Sequence, residues 1–150
     1  LPGKSEHQTG LAIDLGLKKE SIDFIRPDFP YIGICQQFRE KSVPYGFIER
    51  YPREKEHITG IAHEPWHFRY VGTPHAEIMR EHHFCLEEYI DFLKRFSQDQ
   101  PYTFYKDSQE IQIFYLKADT ESVSLEVAED GSLSVSGNNV DGYIITEWRG

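Results

Sequence analysis

The sequence predicts an α+β fold in which a small, mostly antiparallel central sheet is flanked by helices and followed by a β-rich C-terminal extension. Three observations lead to this fold class. The first half contains short apolar runs bounded by Gly or Pro, helical spacing of apolar residues occurs between these runs, and strict apolar/polar alternation begins beyond residue 100. At 150 residues and 39% hydrophobic content, the chain can bury one core with a small appendage.

The predicted strands of the central sheet are three short runs of apolar and aromatic residues. Residues 11–15 lie between two glycines, residues 47–51 end at a proline, and residues 67–71 stop at a glycine. The charged segment Arg53 to His57 is predicted to be a turn or loop. Asp14 is the anomaly of the first run, because an ionised carboxylate inside a buried strand needs a partner or a metal.

Helical spacing of apolar residues predicts three flanking helices. The first covers Tyr31 to Val43 and is broken by Pro44, and the second is short, from Pro74 to Glu81. The third, Leu86 to Phe96, has an apolar stripe along one face.

The C-terminal third reads as an antiparallel β unit, so we expect a core at residues 1–99 and an extension at residues 100–150. Apolar residues alternate with polar ones in successive short segments, and Asp130-Gly131 is a hairpin-turn signal between two of them. The predicted strands are centred on residues 111–115, 123–127, 133–135 and 143–145.

Charge and cysteine content narrow the function classes. An excess of 25 acidic over 16 basic residues gives a net charge of −9, which opposes binding to nucleic acids or anionic membranes. Cys35 and Cys85 are expected to be separate buried thiols, which favours a reducing, cytoplasmic location. No apolar run approaches the ~20 residues that span a bilayer. We therefore expect no membrane segment in this chain, although residues before Leu1 would make an extracytoplasmic anchored form possible if they carried an anchor.

The string His63-Glu64-Pro65-Trp66-His67 matches the H-E-x-x-H zinc motif literally. That motif requires both histidines on one helical face. Pro65 disfavours helical backbone at Glu64, and the residues after it are strand formers. We therefore expect a strand here and exclude His63 as a ligand.

A second arrangement takes its ligands from two distant segments. Two imidazoles and one carboxylate suit hydrolytic zinc, so His7, Asp14 and His67 would be ligands, with Glu64 as the base acting on water. His7 and Asp14 face opposite ways in a regular strand, so Thr9-Gly10 must turn the chain between them. We expect Glu64 to precede the strand that His67 opens.

Each of these residues also has an ordinary structural explanation. Asp14 can be an interior hydrogen-bond acceptor, Glu64 a loop acid and Trp66 a core residue. The same holds for the remaining histidines, which we assign no site role: His57, His75, His82 and His83.

Two separated motifs resemble the VanY/VanXY-type zinc D,D-peptidases. The similarity continues through the residues between the two motifs and covers about the first 95 residues. The tail at residues 135–143 separately resembles the C-terminal extension of VanXY proteins of the G type. The motifs are Ser5-x-His7-x-x-Gly10-x-Ala12-x-Asp14 and Glu64-Pro65-Trp66-His67-Phe68-Arg69-Tyr70-Val71-Gly72.

This resemblance implies a hedgehog/D,D-peptidase-like fold and zinc-dependent hydrolysis of the D-Ala-D-Ala bond in peptidoglycan precursors or the free dipeptide, linked to vancomycin-type resistance. It implies that His7, Asp14 and His67 bind Zn²⁺ and that Glu64 activates water. It also suggests Ser5 for holding substrate and Trp66 for packing behind the site. Dipeptide and pentapeptide preference, and oligomeric state, stay open.

One family feature has no counterpart in this sequence. The family supplies an arginine from an upstream segment to bind substrate or stabilise the oxyanion, and Arg69 sits at a position that looks structural in the family. We therefore expect that arginine among residues before Leu1. Two alternatives stay open: another zinc amidase, such as an L,D-peptidase or endopeptidase, and a non-catalytic module that binds cell-wall peptides.

Overall fold

The computed structural model describes residues 5–119, 122, 125 and 131–149. Its contacts divide the chain into two compact units, Leu1–Glu87 and Glu88–Gly150. The predicted boundary between residues 99 and 100 stays a prediction. Antiparallel sheets combined with helices confirm the α+β fold class.

The first unit is built on a three-stranded antiparallel sheet with the order β1-β3-β2. The middle strand carries an aromatic residue, Phe68, whose ring packs edge to face on Phe29 and Phe38. Because side chains alternate along a strand, the residues on either side of Phe68 point away from this aromatic core. The strands are β1 (Ala12–Asp14), β2 (Phe47–Tyr51) and β3 (Glu64–Tyr70).

Strand β3 starts earlier than predicted, because Glu64 is its first residue instead of preceding it. Glu64 pairs with Tyr51 of β2, and the register shifts between Glu49 and Tyr51. β1 pairs with β3 only at residues 67–69, so β3 has no such partner on that side at Pro65. A proline, which has no N–H to donate, is tolerated at such an irregular site.

The described residues contain four α-helices, and the three that were predicted differ by a few residues from their predicted bounds. The third predicted helix stops at Leu93 instead of Phe96, because its end tightens into a turn in which the Phe96 N–H reaches the Leu93 carbonyl. The segment Arg53 to His57 was predicted to be a turn or loop; a 3₁₀ turn does form at Arg53–Lys55, but it leads into a one-turn helix that was not predicted. The helices are α1 (Gly33–Ser42), α2 (Glu56–Thr59), α3 (His75–His82) and α4 (Leu86–Leu93).

None of the helices in the described ranges is long and apolar enough to cross a bilayer. Cys35 and Cys85 are both buried thiols, as predicted.

The second unit contains a four-stranded antiparallel sheet with the order β4-β5-β7-β6. The most deeply buried apolar residues of this sheet are Ile111, Ile113 and Phe114 of β5 and Ile145 of β7. The predicted strand at 123–127 and the turn at Asp130-Gly131 fall largely outside the described residues. The strands are β4 (Tyr102–Lys106), β5 (Gln109–Lys117), β6 (Ser132–Gly137) and β7 (Gly142–Arg149).

The sequence prediction missed β4. Its hairpin to β5 turns through Asp107 and Ser108, both with positive φ. Two positive-φ residues are typical of a type I′ turn, which is normally signalled by Asn-Gly or Asp-Gly. Asp-Ser lacks that signature, so the hairpin could not be recognised.

Gly46 directly precedes β2 and lies close to Tyr70, the last residue of β3, and to Gly72. Its φ is +87°, and an added Cβ would lie 2.8 Å from both the Gly72 Cα and the Tyr70 ring. We expect Gly46→Ala to lower the free energy of unfolding by about 2 kcal/mol or more, because the left-handed backbone and the clash both oppose it.

Gly60 provides the matched control in a urea titration. Its φ is +68°, but nothing lies within 4 Å of an added Cβ. Gly60→Ala should therefore cost only the backbone term of ~1 kcal/mol. Equal losses for the two variants would contradict the close approach at Gly46.

Candidate metal centre

Strand pairing brings Asp14 and His67 together across 53 residues of sequence. The two are direct partners in the β1–β3 ladder, and His67 Nδ1 lies 2.8 Å from Asp14 Oδ1. Burial would lower the pKa of the His67 imidazole, but hydrogen bonds to Glu6 and Asp14 outweigh it and raise that pKa. His67 is therefore the partner that an ionised carboxylate at position 14 of a strand requires.

His7 reaches the same place through a turn. Glu6–Thr9 forms a 3₁₀ turn that ends at Gly10 with φ +72°, so the predicted reversal at Thr9-Gly10 is confirmed. His7 Nδ1 lies 3.2 Å from the Ala12 carbonyl, and Nε2 lies 3.4 Å from Asp14 Oδ2. The turn thus directs the Nε2 of His7 towards Asp14.

Among the described residues, His7, Asp14 and His67 form a group that could hold a metal ion, because one donor atom from each lies within 4.8 Å of the others. The rings of His7 and His67 are nearly perpendicular, with centroids 4.8 Å apart. On both histidines, the nitrogen remote from Asp14 already faces an oxygen acceptor. This arrangement is typical of metal-binding histidines, in which the second nitrogen is fixed by a hydrogen bond.

Glu64 lies beside the group without belonging to it. Its Oε2 is 3.9 Å from His67 Nδ1, and its side chain is 32% exposed. Burial raises the pKa of the Glu64 carboxyl, and the neighbouring Asp14 charge adds to that rise, while the charge of His67 opposes it. A carboxyl next to the group with a raised pKa is suited to exchanging a proton with water.

Sequence reasoning missed Glu6. Its Oε2 lies 3.4 Å from His67 Nε2, while its Oε1 accepts from Arg50 Nε at 2.9 Å and pairs with Arg69 Nη1 at 3.2 Å. Burial alone would raise the pKa of Glu6, but the hydrogen bonds from His67 and Arg50, with the charges of Arg50 and Arg69, lower it to about 2. Its hydrogen-bond partners Arg50 and His67 lie 44 and 61 residues away, so no local pattern could reveal it.

Two residues of β2 complete the surroundings of His67. Tyr51 stacks on the imidazole with ring centroids 5.1 Å apart. Arg50 donates both terminal nitrogens to the Glu87 carboxylate, at 2.9 and 2.6 Å. The ring of His67 therefore lies against Tyr51, and its Nε2 faces Glu6, which is paired with Arg50.

His63 belongs to a different network, which agrees with its exclusion as a ligand. Its Nε2 lies 2.7 Å from the Tyr31 hydroxyl and its Nδ1 3.3 Å from Arg53. The segment from His63 to His67 is strand rather than helix from Glu64 onward. The prediction of a strand instead of a helix after His63 is confirmed.

The other two predicted site residues, Ser5 and Trp66, are outside the group of candidate ligands. Ser5 is exposed, immediately before the 3₁₀ turn, and its side chain makes no capping hydrogen bond to that turn. Trp66 packs against the aromatic core on the opposite face of β3 from His67. The substrate role of Ser5 and the packing role of Trp66 stay predictions.

Comparison with known proteins agrees with the motifs. The family model described as "VanY: D-alanyl-D-alanine carboxypeptidase" matches residues 1–73. The solved structure of VanXYg, a vancomycin-resistance D,D-dipeptidase in complex with a D-Ala-D-Ala phosphinate analog, superposes with a TM-score of 0.96 at 55% identity. That alignment covers 99% of this chain and 60% of that one. The chain belongs to the VanY family.

Two further matches cover about three fifths of this chain. The bifunctional D-Ala-D-Ala dipeptidase and carboxypeptidase VanXYC of Enterococcus gallinarum is 54% identical over 94 residues, covering 62% of this chain and 50% of that protein. The LD-carboxypeptidase LdcB matches with a TM-score of 0.52 at 39% identity, covering 60% of this chain and 42% of that one. The chain thus spans about half the length of the curated relative VanXYC.

Proposed function

We propose that the protein is a zinc-dependent D,D-peptidase that hydrolyses the bond between two D-alanines, in the free dipeptide or at the end of a peptidoglycan stem peptide. The observation that carries the proposal is the meeting of His7, Asp14 and His67 within 4.8 Å, with Glu64 beside them. The similarity to VanXYC and VanXYg supports this choice of substrate.

The donor set fits zinc. Two imidazole nitrogens and one carboxylate oxygen are a common ligand set of hydrolytic zinc sites, which keep a fourth position open. His7 would contribute Nε2 and His67 Nδ1, because their other nitrogens face the Ala12 carbonyl and Glu6. The burial of His67 against Tyr51 would limit the freedom of its ring.

The chemistry then divides between the ion and Glu64. Zinc in this position would polarise the scissile carbonyl and make a water acidic enough to attack near neutral pH. Glu64 would take the proton of the attacking water and return it to the leaving amine. Asp14 and the two histidines would hold their geometry throughout.

A cleft beside Glu64 offers room for a small peptide. It has a volume of about 680 Å³ and is lined by Glu64, Trp66 and residues 26–31, among others. Ser5 would hold substrate, in line with the family pattern. The proposed partner is a peptide ending in D-Ala-D-Ala, which the ligand of the VanXYg structure supports. We further propose a cytoplasmic location, which the buried thiols of Cys35 and Cys85 support.

Metal removal tests this proposal. Dialysis against a chelator is expected to abolish D-alanine release from D-Ala-D-Ala, and stoichiometric zinc to restore it, because the three ligands provide no catalysis without the ion. A protein that keeps full activity after its metal content falls to zero would contradict the proposal.

A second candidate is an L,D-peptidase on the same scaffold, which the likeness to LdcB favours. Assays on D-Ala-D-Ala, on a stem pentapeptide and on a stem tetrapeptide separate the two activities by their products. Release of D-alanine from the tetrapeptide alone would favour the second candidate. Binding of all three peptides by the zinc-loaded protein without cleavage would instead favour a binding module.

A further inference from the structure

Glu6 occupies the side of the His67 ring that faces away from Asp14. Its Oε2 lies 3.4 Å from His67 Nε2, whereas Asp14 Oδ1 lies 2.8 Å from Nδ1. Glu6 is not a member of the group whose donor atoms lie within 4.8 Å of one another. Its carboxylate therefore contacts a candidate ligand without being one.

The two carboxylate oxygens of Glu6 have different partners. Oε1 accepts from Arg50 Nε at 2.9 Å and pairs with Arg69 Nη1 at 3.2 Å. This leaves Oε2 to face the imidazole. The side chain is 17% exposed, and that of Arg50 is 9% exposed, so the orientation is held inside the protein instead of at a mobile surface.

Arg50 is itself fixed from the other side. It forms a bidentate pair with Glu87, in the first turn of α4, and its guanidinium lies over the Tyr51 ring with its carbon 4.7 Å from the centroid. Bidentate arginine–carboxylate pairs are geometrically specific. A continuous chain from Glu87 through Arg50 and Glu6 thus ends on His67.

The two candidate histidine ligands are fixed by different means. His7 Nδ1 faces the main-chain carbonyl of Ala12, which no substitution removes. His67 Nε2 faces a carboxylate side chain. An acceptor at one ring nitrogen selects the tautomer that leaves the other nitrogen free to bind metal, and it raises the basicity of that nitrogen.

We propose that Glu6 is a positioning residue that accepts the Nε2–H of His67, so that Nδ1 is presented to the metal. Arg50 and Arg69 hold Glu6 in that orientation. This role rests on the zinc site proposed above. Glu6 acts through His67 and touches neither substrate nor the reacting atoms.

Zinc affinity is the primary readout, measured by competition with a chromogenic chelator. Glu6→Gln keeps the shape of the side chain but removes its charge, and it is expected to weaken zinc binding by roughly 10–100-fold. Circular dichroism and thermal unfolding verify that the variant is folded. Unchanged affinity in Glu6→Gln would overturn the proposal.

Glu49→Gln is the matched control. Glu49 is also an arginine-paired carboxylate of this unit, 2.8 Å from Arg39 Nε and 15% exposed, but its contacts are with Tyr31, Arg39 and His63. Its substitution should leave zinc affinity unchanged. An equal loss in both variants would show a general effect of removing buried charge and overturn the specific role of Glu6.

A second measurement needs no variant at Glu6. In the zinc-loaded, ¹⁵N-labelled protein, NMR is expected to show the His67 ring proton on Nε2 and the metal on Nδ1. A proton on Nδ1 would overturn the proposal even if Glu6→Gln failed to fold.

The reference for all of these measurements is His67→Ala. If the unaltered protein binds zinc no more tightly than His67→Ala, the zinc site and the role of Glu6 both fall. If the unaltered protein binds zinc and Glu6→Gln binds it equally well, only the role of Glu6 falls.

Discussion

Replacing Glu64 with glutamine is expected to leave zinc bound while the rate of D-Ala-D-Ala hydrolysis falls by at least ~10²–10⁴-fold. Glutamine has nearly the same shape as glutamate but cannot accept the proton of the attacking water. Glu64 lies 3.9 Å from His67 Nδ1 without belonging to the ligand group, so the metal should be retained. The checks are initial rates of D-alanine release and the zinc content of the same sample.

The control for this substitution is Glu54→Gln, which removes an exposed carboxylate of the 3₁₀ turn at Arg53–Lys55. It should leave both activity and zinc content unchanged. Turnover by Glu64→Gln at the unaltered rate would remove Glu64 from the role of base. Loss of zinc together with activity would instead make Glu64 a ligand.

The second large effect is expected from His67→Ala. This change removes one of three candidate ligands, and the remaining pair, His7 and Asp14, is expected to bind zinc too weakly for stoichiometric occupancy. D-alanine release should fall to the level of the metal-free protein. Titration with zinc and assay of the same preparation measure both effects.

His63→Ala is the matched control, because His63 and His67 are the two ends of the H-E-x-x-H string. His63 contacts Tyr31 and Arg53 instead of the ligand group, so its removal should leave zinc affinity intact. The opposite order, with zinc lost in His63→Ala and kept in His67→Ala, would contradict the strand-based site.

The sequence predicted those parts of the fold that depend on local pattern. The strand β2, from Phe47 to Tyr51, was predicted with both of its bounds, because its run of apolar and aromatic residues ends at Pro52. The departure of β3 from helix followed from Pro65. By contrast, β4 was missed because its hairpin uses Asp107-Ser108, which carries no recognisable turn signature.

The candidate site shows the same division between local and long-range information. His7, Asp14, Glu64 and His67 could be proposed because histidines and carboxylates at these spacings suit zinc, and the family motifs contain them. Glu6 could not, because its position depends on Arg50, Arg69 and His67, which reach it only after β1, β2 and β3 have paired. Burial of an acid between two arginines is a tertiary property, and sequence spacing does not encode it.

Anomalous diffraction at the zinc absorption edge tests the central claim most directly. Crystals grown with zinc are expected to show one peak in the first unit, about 2.0–2.2 Å from His7 Nε2, an Asp14 oxygen and His67 Nδ1, with Glu64 not coordinated. A peak bound by His63 and His67, or one that leaves Asp14 without a metal contact, would contradict the account.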